Sequence, residues 1–136
     1  MANKRMLWVP TNLQKTKPTL TEAQKNAVSI FFEPLIASYK VQLNEVDKRD
    51  GTYTIDVYSK WYQHYFYLCE KYKSEGENKI LDEYERKYLR LEFVDENHFN
   101  FAYFRHTGQW HLVDENCTLQ KCLEMINENP NFQPLL

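Results

Sequence analysis

The chain has 136 residues, which fits one domain with a single hydrophobic core and requires no second domain. Its 17 basic and 19 acidic residues give a net charge of -2, so neither sign dominates as it does in proteins that bind nucleic acids or membrane surfaces electrostatically. The 10 Tyr, 8 Phe and 3 Trp residues supply enough apolar ring surface for a core, and no stretch reaches the roughly 18 apolar residues of a membrane span.

The N-terminal residues and the cysteines indicate a cytoplasmic protein. The apolar run from Met6 to Val9 is too short for the hydrophobic core of a signal peptide. Three cysteines, Cys69, Cys117 and Cys122, form an odd set, which favours reduced thiols over a framework of disulfides. We therefore expect a cytoplasmic location and no association with a membrane.

The predicted domain covers residues 20–136 and begins with a helix, after an extended arm over residues 1–19. Thr21 and Gln24 have the spacing of a capping box, in which each side chain binds the other residue's backbone N–H. Apolar residues then recur at helical spacing and predict a helix that is covered on more than one side: Ala27, Val28, Ile30, Phe31, Phe32, Leu35 and Ile36. Pro34 predicts either a kink or a restart of this helix.

The middle of the chain predicts three strands. Weak alternation over residues 41–47 indicates the first, and Lys48 to Gly51 a hairpin connection with Gly51 at positive φ. Residues 62–72 fit a helix or a strand, and their aromatic content favours a strand after a turn at residues 62–64. Polar residues 73–79 predict a mobile loop. Between these segments, one face of the second strand is formed by Tyr53, Ile55, Val57, Ser59 and Trp61.

The clearest pattern lies near the end of the chain. Period-two alternation predicts antiparallel strands over residues 84–94 and 98–106, with a third short strand over residues 109–113. Between the last two strands, a type I turn with Gly108 in the left-handed conformation of a G1 bulge is predicted.

A second helix is predicted after the polar residues 114–116. Thr118 is its N-cap, and Pro130 must end it. The apolar tail over residues 132–136 is expected to dock on the domain. The stripe of this helix consists of Leu119, Cys122, Leu123 and Ile126.

These elements predict the α+β class, with an N-terminal helix packed on a curved antiparallel sheet of about six strands and a C-terminal helix. A long first helix cupped by a curved meander is the arrangement of cystatin-like and nuclear-transport-factor-like folds. Both serve as analogies for the fold alone.

Four segments resemble an uncharacterised family of small bacterial proteins, and the likeness covers about residues 53–133. Members of that family have a glycine near Gln63 and an acidic residue near Lys121, which would complete a capping box, so this chain departs from the family at both positions. The resemblance implies a shared fold and brings no known activity, cofactor or catalytic residue. The segments are Arg90-Leu91-Glu92-Phe93, Phe99 to Phe104, the Arg105-His106-Thr107-Gly108-Gln109-Trp110 hairpin, and the last helix with Pro130 and Phe132.

Four charged residues are the candidates for ligand binding: Arg90, Glu92, Arg105 and His106. If the hairpin tip and the neighbouring strand converge on a pocket mouth, Arg105 and His106 would bind a small anionic ligand and Glu92 would orient them. The alternative is structural, because a G1 bulge needs its glycine for steric reasons and charges at strand tips are often only solvated.

Other chemistries fit the sequence less well. His106, His111, Cys117 and Cys122 lie within 17 residues, but their spacing is not that of a structural zinc site, so no metal is predicted. The aromatic segment Phe99 to Phe104 lacks the basic residue and glycine of RNA-recognition strands, so no nucleic acid is predicted. No phosphate-binding loop or nucleophile motif is present, and no cofactor is predicted.

The composition favours a binding domain over an enzyme. Because the predicted strands carry Tyr on both faces, one layer of helices cannot cover all of the rings. We therefore expect a non-enzymatic domain that binds through its aromatic sheet face or its apolar termini, as a homodimer. The alternative is a small-molecule or enzymatic pocket between the first helix and the sheet, with the four charged candidates at its mouth.

Overall fold

The computed structural model describes residues 18–45, 51–75 and 83–136, and shows an α+β fold. In chain order, five antiparallel strands follow the first helix and precede the second, and each strand pairs with its neighbours in the chain to give an open sheet of order β1-β2-β3-β4-β5. The α+β class is therefore confirmed. The elements are α1 (Glu22–Glu45), β1 (Gly51–Tyr62), β2 (Tyr65–Glu75), β3 (Glu83–Asp95), β4 (His98–Phe104), β5 (Trp110–Cys117), α2 (Leu119–Glu128) and a 3-10 turn (Pro130–Phe132).

The sheet has five strands, and the prediction of about six was wrong at the first one. Residues 41–45 belong to the end of α1. The reason is that Tyr39 and Leu43 are buried and continue the helical spacing set by Phe32, so tertiary packing outweighs the weak alternation. Three predictions fall partly outside the described residues: residues 1–17 of the arm predicted over residues 1–19, residues 48–50 of the connection predicted over residues 48–51, and residues 76–79 of the loop predicted over residues 73–79.

Helix α1 begins where the capping box predicts. The Thr21 backbone N–H donates to Gln24 Oε1 at 3.0 Å, and the Gln24 backbone N–H donates to Thr21 Oγ1 at 3.1 Å. The helix then continues through Pro34 without the predicted restart. Pro34 is exposed, and so is Ile30, four residues before it, whose carbonyl loses its helical donor, so water can bind that oxygen.

One face of α1 packs on the sheet, so the predicted cover on more than one side was wrong. Val28 and Phe32 are buried against the sheet, whereas the Ile30 side chain is 61% exposed. Phe32 stacks on Phe66 of β2 with ring centroids 5.4 Å apart. Full burial of such a ring stabilises the fold by about 2–3 kcal/mol.

Helix α2 and the tail pack on the same face of the sheet. The Thr118 side chain accepts from the Lys121 backbone N–H at 3.1 Å and caps α2, as predicted. Cys122 and Ile126 are buried in the same core as Phe32, and Phe132 of the tail packs edge to face on Phe101 of β4, with ring centroids 5.0 Å apart. The predicted docking of the tail is therefore confirmed.

Bulges decide which residues face the core. Every strand pair contains a register shift, and the one in β1 lies between Thr54 and Asp56. Because of it, Thr54 is buried, whereas alternation placed Tyr53 and Ile55 on the face of Val57. Two strands are also longer than predicted. Strand β2 includes residues 73–75, and β5 includes residues 114–117.

The two hairpin turns agree with the sequence. The chain turns at Gln63 and His64, between the paired residues Tyr62 and Tyr65. In the β4–β5 hairpin, the Gly108 N–H donates to the Arg105 carbonyl at 2.9 Å, and the φ of Gly108 is +84°. This is the predicted left-handed glycine. None of the described helices combines the length and the apolar content needed to cross a membrane.

Candidate functional site

The candidate site is the face of the sheet opposite the helices, which we call the outer face. It follows from the register: Trp61, Phe66 and Leu91 are paired in one row and face the core, so their neighbours along each strand point the other way. Neither described helix packs on these outward residues. They are Tyr58, Lys60 and Tyr62 of β1, Tyr65 and Tyr67 of β2, Glu85, Lys87, Arg90 and Glu92 of β3, Asn100, Ala102 and Phe104 of β4, and Trp110 and Leu112 of β5.

Three rings and one guanidinium form a contiguous ring cluster in the centre of the outer face. The Arg90 guanidinium carbon lies 4.8 Å from the Tyr65 ring centroid and 4.6 Å from that of Trp110. Tyr67 lies between them, 6.0 Å from Tyr65 and 5.8 Å from Trp110 between ring centroids. Contacts of this kind contribute about 0.5–1 kcal/mol each at exposed sites and more where water is excluded.

The ring cluster depends on a small residue in β4. Ala102 is paired with Arg90 on one side and with Leu112 on the other, so it lies between the strands that carry Arg90 and Trp110. A methyl group leaves room for the indole of Trp110 to reach across β4. A larger side chain at Ala102 would fill that space.

Charged pairs surround the ring cluster. The Lys60 ammonium donates to both carboxylate oxygens of Glu85, at 2.7 Å and 2.9 Å, and the Tyr58 hydroxyl donates to the same carboxylate. The hydrogen bond from Lys60, followed by that from Tyr58, lowers the pKa of Glu85. Glu92 accepts from the Asn100 side-chain amide at 3.3 Å, and its other oxygen lies 3.5 Å from His64 Nε2.

Two hollows lie beside the ring cluster. One has a volume of about 400 Å³ and includes Tyr62 and Lys87 in its lining, and the other, of about 300 Å³, lies between Lys87 and Trp110. Tyr62 is 60% exposed and Leu112 is 51% exposed, so two large apolar side chains project from the same face. The outer face thus presents both projections and recesses.

The four predicted ligand-binding residues fall into two places. Arg90 and Glu92 both lie on the outer face, Arg90 in the ring cluster and Glu92 beside it. Arg105 and His106 are exposed at the β4–β5 turn and line a separate cavity of about 380 Å³, which we call the hairpin cavity. Neither the hairpin cavity nor either hollow beside the ring cluster includes all four in its lining.

The cavities between α1 and β1 or the tail contain none of the four candidates. One, of about 350 Å³, lies along α1 at Ile36 and Tyr58, and another, of about 400 Å³, lies between Leu43, Tyr72 and the tail. The pocket predicted between the first helix and the sheet thus has space but lacks the predicted charges.

The cysteines are poor candidates for nucleophiles, and the potential metal ligands are not grouped into a site in the described part of the chain. All three cysteines are free and buried, and burial raises the pKa of the Cys69 thiol to about 12, so its reactive thiolate is disfavoured near neutral pH. Within the part of the chain that the structure describes, no group of three or more His, Cys, Asp and Glu side chains is placed to hold a metal ion.

Comparison with protein families matches residues 35–134 to the family described as "Domain of unknown function (DUF3024)". The chain belongs to this DUF3024 family. No curated protein and no solved structure is significantly similar to it. The match agrees with the predicted uncharacterised family, while the bacterial source and the hairpin motif as its mark stay predictions. The ring cluster lies within the DUF3024 region, and so do all of the lining residues of the hairpin cavity except Leu135.

Sequence reasoning missed one buried ionic residue of the DUF3024 region, Glu70. Its side chain is 0% exposed, and Arg86 Nη1 donates to Glu70 Oε2 at 2.5 Å. The backbone N–H of Leu135 donates to Glu70 Oε1 at 2.9 Å, and Thr54 Oγ1 lies 3.5 Å from the same oxygen. Glu70 therefore ties β2 and β3 to the tail. The signal in the sequence was the alternation of Phe66, Leu68 and Glu70, which puts an acid on an apolar face.

Proposed function

We propose that this DUF3024 domain is a binding module and that its outer face associates with a second copy of the chain. The observation that carries the proposal is the ring cluster: Tyr65, Tyr67, Arg90 and Trp110 are contiguous on a sheet face that neither described helix covers. Aromatic residues and arginine are the types most enriched at the centres of protein interfaces.

The charges of the outer face favour a second copy over a nucleic acid. Lys60, Lys87 and Arg90 alternate with Glu85 and Glu92. A two-fold interface brings the same surface together twice, so a face with both signs can be complementary to itself. The two carboxylates would repel a phosphate backbone, which needs a face of one sign.

The size of the outer face suits a small dimer. Five strands at about 4.8 Å each are about 24 Å wide, and seven residues of a strand span about 23 Å, so the projected area is roughly 550 Å². Projecting side chains raise the accessible area toward the ~800 Å² per partner of typical stable complexes. The exposed Tyr62 and Leu112 side chains can enter the hollows of the second copy. We also propose a cytoplasmic location, which agrees with the free thiols of all three cysteines.

Sedimentation equilibrium tests this proposal with a matched pair of substitutions. Leu112→Asp puts a charge on the outer face, whereas Ile30→Asp puts one at an apolar position on α1 that is somewhat more exposed. We expect the wild type and Ile30→Asp to be dimers at about 50 µM, and Leu112→Asp to weaken association by at least roughly tenfold, because burying an unpaired carboxylate costs more than about 1.4 kcal/mol.

Two results would reject the proposed dimer. One is a wild-type protein that stays strictly monomeric at that concentration. The other is a dimer that Ile30→Asp dissociates and Leu112→Asp leaves intact, since association would then use the surface of α1.

A further inference from the structure

We propose that the hairpin cavity binds a small molecule that carries a phosphate or carboxylate group on an aromatic or apolar body. The cavity lies at the end of β4, between Arg86 of β3, the residues from Tyr103 to His106, and the tail at Asn131 and Leu135. The cavity contains no residue of the ring cluster, so binding there does not require the proposed dimer, although Phe104 belongs to the outer face and, with Arg86, also lines the hollow between Lys87 and Trp110.

The charge of the hairpin cavity points to an anion. Arg86, Arg105 and His106 line it, and none of the described residues in its lining is an Asp or a Glu. The charge of Arg86 is balanced by the buried Glu70 carboxylate, but among the described residues no carboxylate pairs with Arg105. An arginine without a partner that faces an acid-free recess presents its N–H fork to whatever enters, and that fork matches phosphate and carboxylate oxygens.

The Arg105 backbone and the Arg86 side chain are held in place before any ligand arrives. The Arg105 backbone N–H donates to the Gln109 carbonyl at 2.9 Å, and the Arg105 carbonyl accepts from the Gly108 N–H at 2.9 Å, so the turn is closed on both sides. Arg86 Nη2 donates to the Phe104 carbonyl at 3.3 Å while Nη1 holds Glu70. Groups fixed in this way lose less entropy when they bind a ligand.

The apolar lining residues of the hairpin cavity favour a ligand whose uncharged part is aromatic or apolar. Tyr103, Phe104 and Leu135 also line the cavity and give it apolar surface as well as charge. Tyr103 is itself fixed by edge-to-face contacts with Phe132 and His111, at centroid distances of 5.1 Å and 5.7 Å. The volume of about 380 Å³ suits a molecule the size of a phenyl phosphate with room to spare.

Calorimetric titration of the full chain tests the proposal with four simple probes: phenyl phosphate, benzoate, inorganic phosphate and phenol. We expect saturable binding of phenyl phosphate or benzoate with a Kd of about 1 mM or tighter. Whichever of the two binds more tightly identifies the preferred anionic group. Inorganic phosphate and phenol each lack half of the recognised structure, so we expect each to bind at least roughly tenfold more weakly.

Arg105→Gln and Lys40→Gln form the matched pair of variants. Each removes one positive charge from an exposed side chain, but only Arg105 lines the hairpin cavity, whereas Lys40 lies on α1. We expect Arg105→Gln to weaken binding by about 10- to 100-fold, the loss of a charge-assisted hydrogen bond, and Lys40→Gln to leave it unchanged. Backbone amide shifts in ¹⁵N spectra should fall on residues 103–108 and 131–135.

Three results would overturn the site. The first is no saturable binding of phenyl phosphate or benzoate to the wild type. The second is an equal loss of binding in both variants, which indicates general attraction to positive charge. The third is a set of amide shifts confined to the outer face.

Discussion

Removing Arg86 should destabilise the fold more than removing Glu70, although the two residues form one ion pair. The Glu70 side chain is 0% exposed, whereas that of Arg86 is 28% exposed. In Arg86→Met, a carboxylate stays buried without its counter-ion, which costs about 3–5 kcal/mol. In Glu70→Met, water can solvate the exposed part of Arg86, and the main further loss is the hydrogen bond from the Leu135 N–H, so we expect a cost of about 2 kcal/mol.

The double variant separates this explanation from loss of packing. Replacing a buried pair by apolar residues of similar volume is often close to neutral, so Glu70→Met with Arg86→Met should lie within about 2 kcal/mol of the wild type. Urea unfolding followed by far-UV circular dichroism gives these free energies. For a domain of this size, the Arg86→Met cost corresponds to a fall in Tm of about 10–15 °C.

The difference in unfolding free energy between Arg86→Met and Glu70→Met is the result that tests this explanation. If Glu70→Met costs as much as Arg86→Met, the carboxylate is not desolvated as the structure indicates. If the double variant costs the sum of the single ones, the two side chains contribute independently and the ion pair has no coupling energy.

Three further outcomes follow from local geometry. Gln63 has a φ of +54°, so Gln63→Gly should raise the free energy of unfolding by about 1 kcal/mol in urea titrations, and a loss of stability would contradict this reading. Lys121 provides the backbone N–H that Thr118 caps, so Lys121→Glu should complete a capping box and add about 0.5–1 kcal/mol; Lys121→Gln, which keeps the box without a negative charge, should recover much of that gain. Because burial raises the pKa of Cys69 to about 12, Ellman's reagent at pH 8 should modify this thiol only slowly in the native protein and fully in guanidinium, and a fast native reaction would refute its burial.

The sequence predicted elements well where local chemistry specifies them. The capping box at Thr21 and the N-cap at Thr118 both place the starts of helices correctly, because each depends on a hydroxyl three residues from the N–H that it binds. The left-handed Gly108 follows from the geometry of the turn in the same way. Each of these caps and turns is specified by residues only a few positions apart, so it can be predicted without reference to the rest of the chain.

The sequence predicted less well where distant segments decide the outcome. Local alternation predicts a strand at the end of α1, whereas the burial of this segment as a helix depends on contacts with β1, more than ten residues away in the chain, such as that between Leu43 and Val57. The bulge between Thr54 and Asp56 reverses the face of the sheet on which the preceding side chains lie, and the local alternation of residues does not indicate this bulge. The separation of the four charged candidates into two places was not predicted, because the pairing of distant segments decides where each side chain lies.

The two departures implied by the family resemblance can be compared with the fold. The glycine is expected near Gln63, which adopts a positive φ, a conformation that glycine adopts without steric cost. The acidic residue is expected near Lys121, whose backbone N–H binds the Thr118 hydroxyl. Gln63 and Lys121 are both exposed and lie at the ends of elements, so the packed sheet can override the local preference at each position.

Glu70 shows how one residue links the fold to a candidate site. A buried acid on the apolar face of β2 needs a counter-charge, which fixes Arg86, and it binds the backbone N–H of Leu135, which fixes the tail. Arg86 and Leu135 are two walls of the hairpin cavity. The same ion pair that costs desolvation energy therefore positions both the basic wall and the apolar wall of the proposed anion site, so a variant that breaks it should lose the cavity even where the sheet survives.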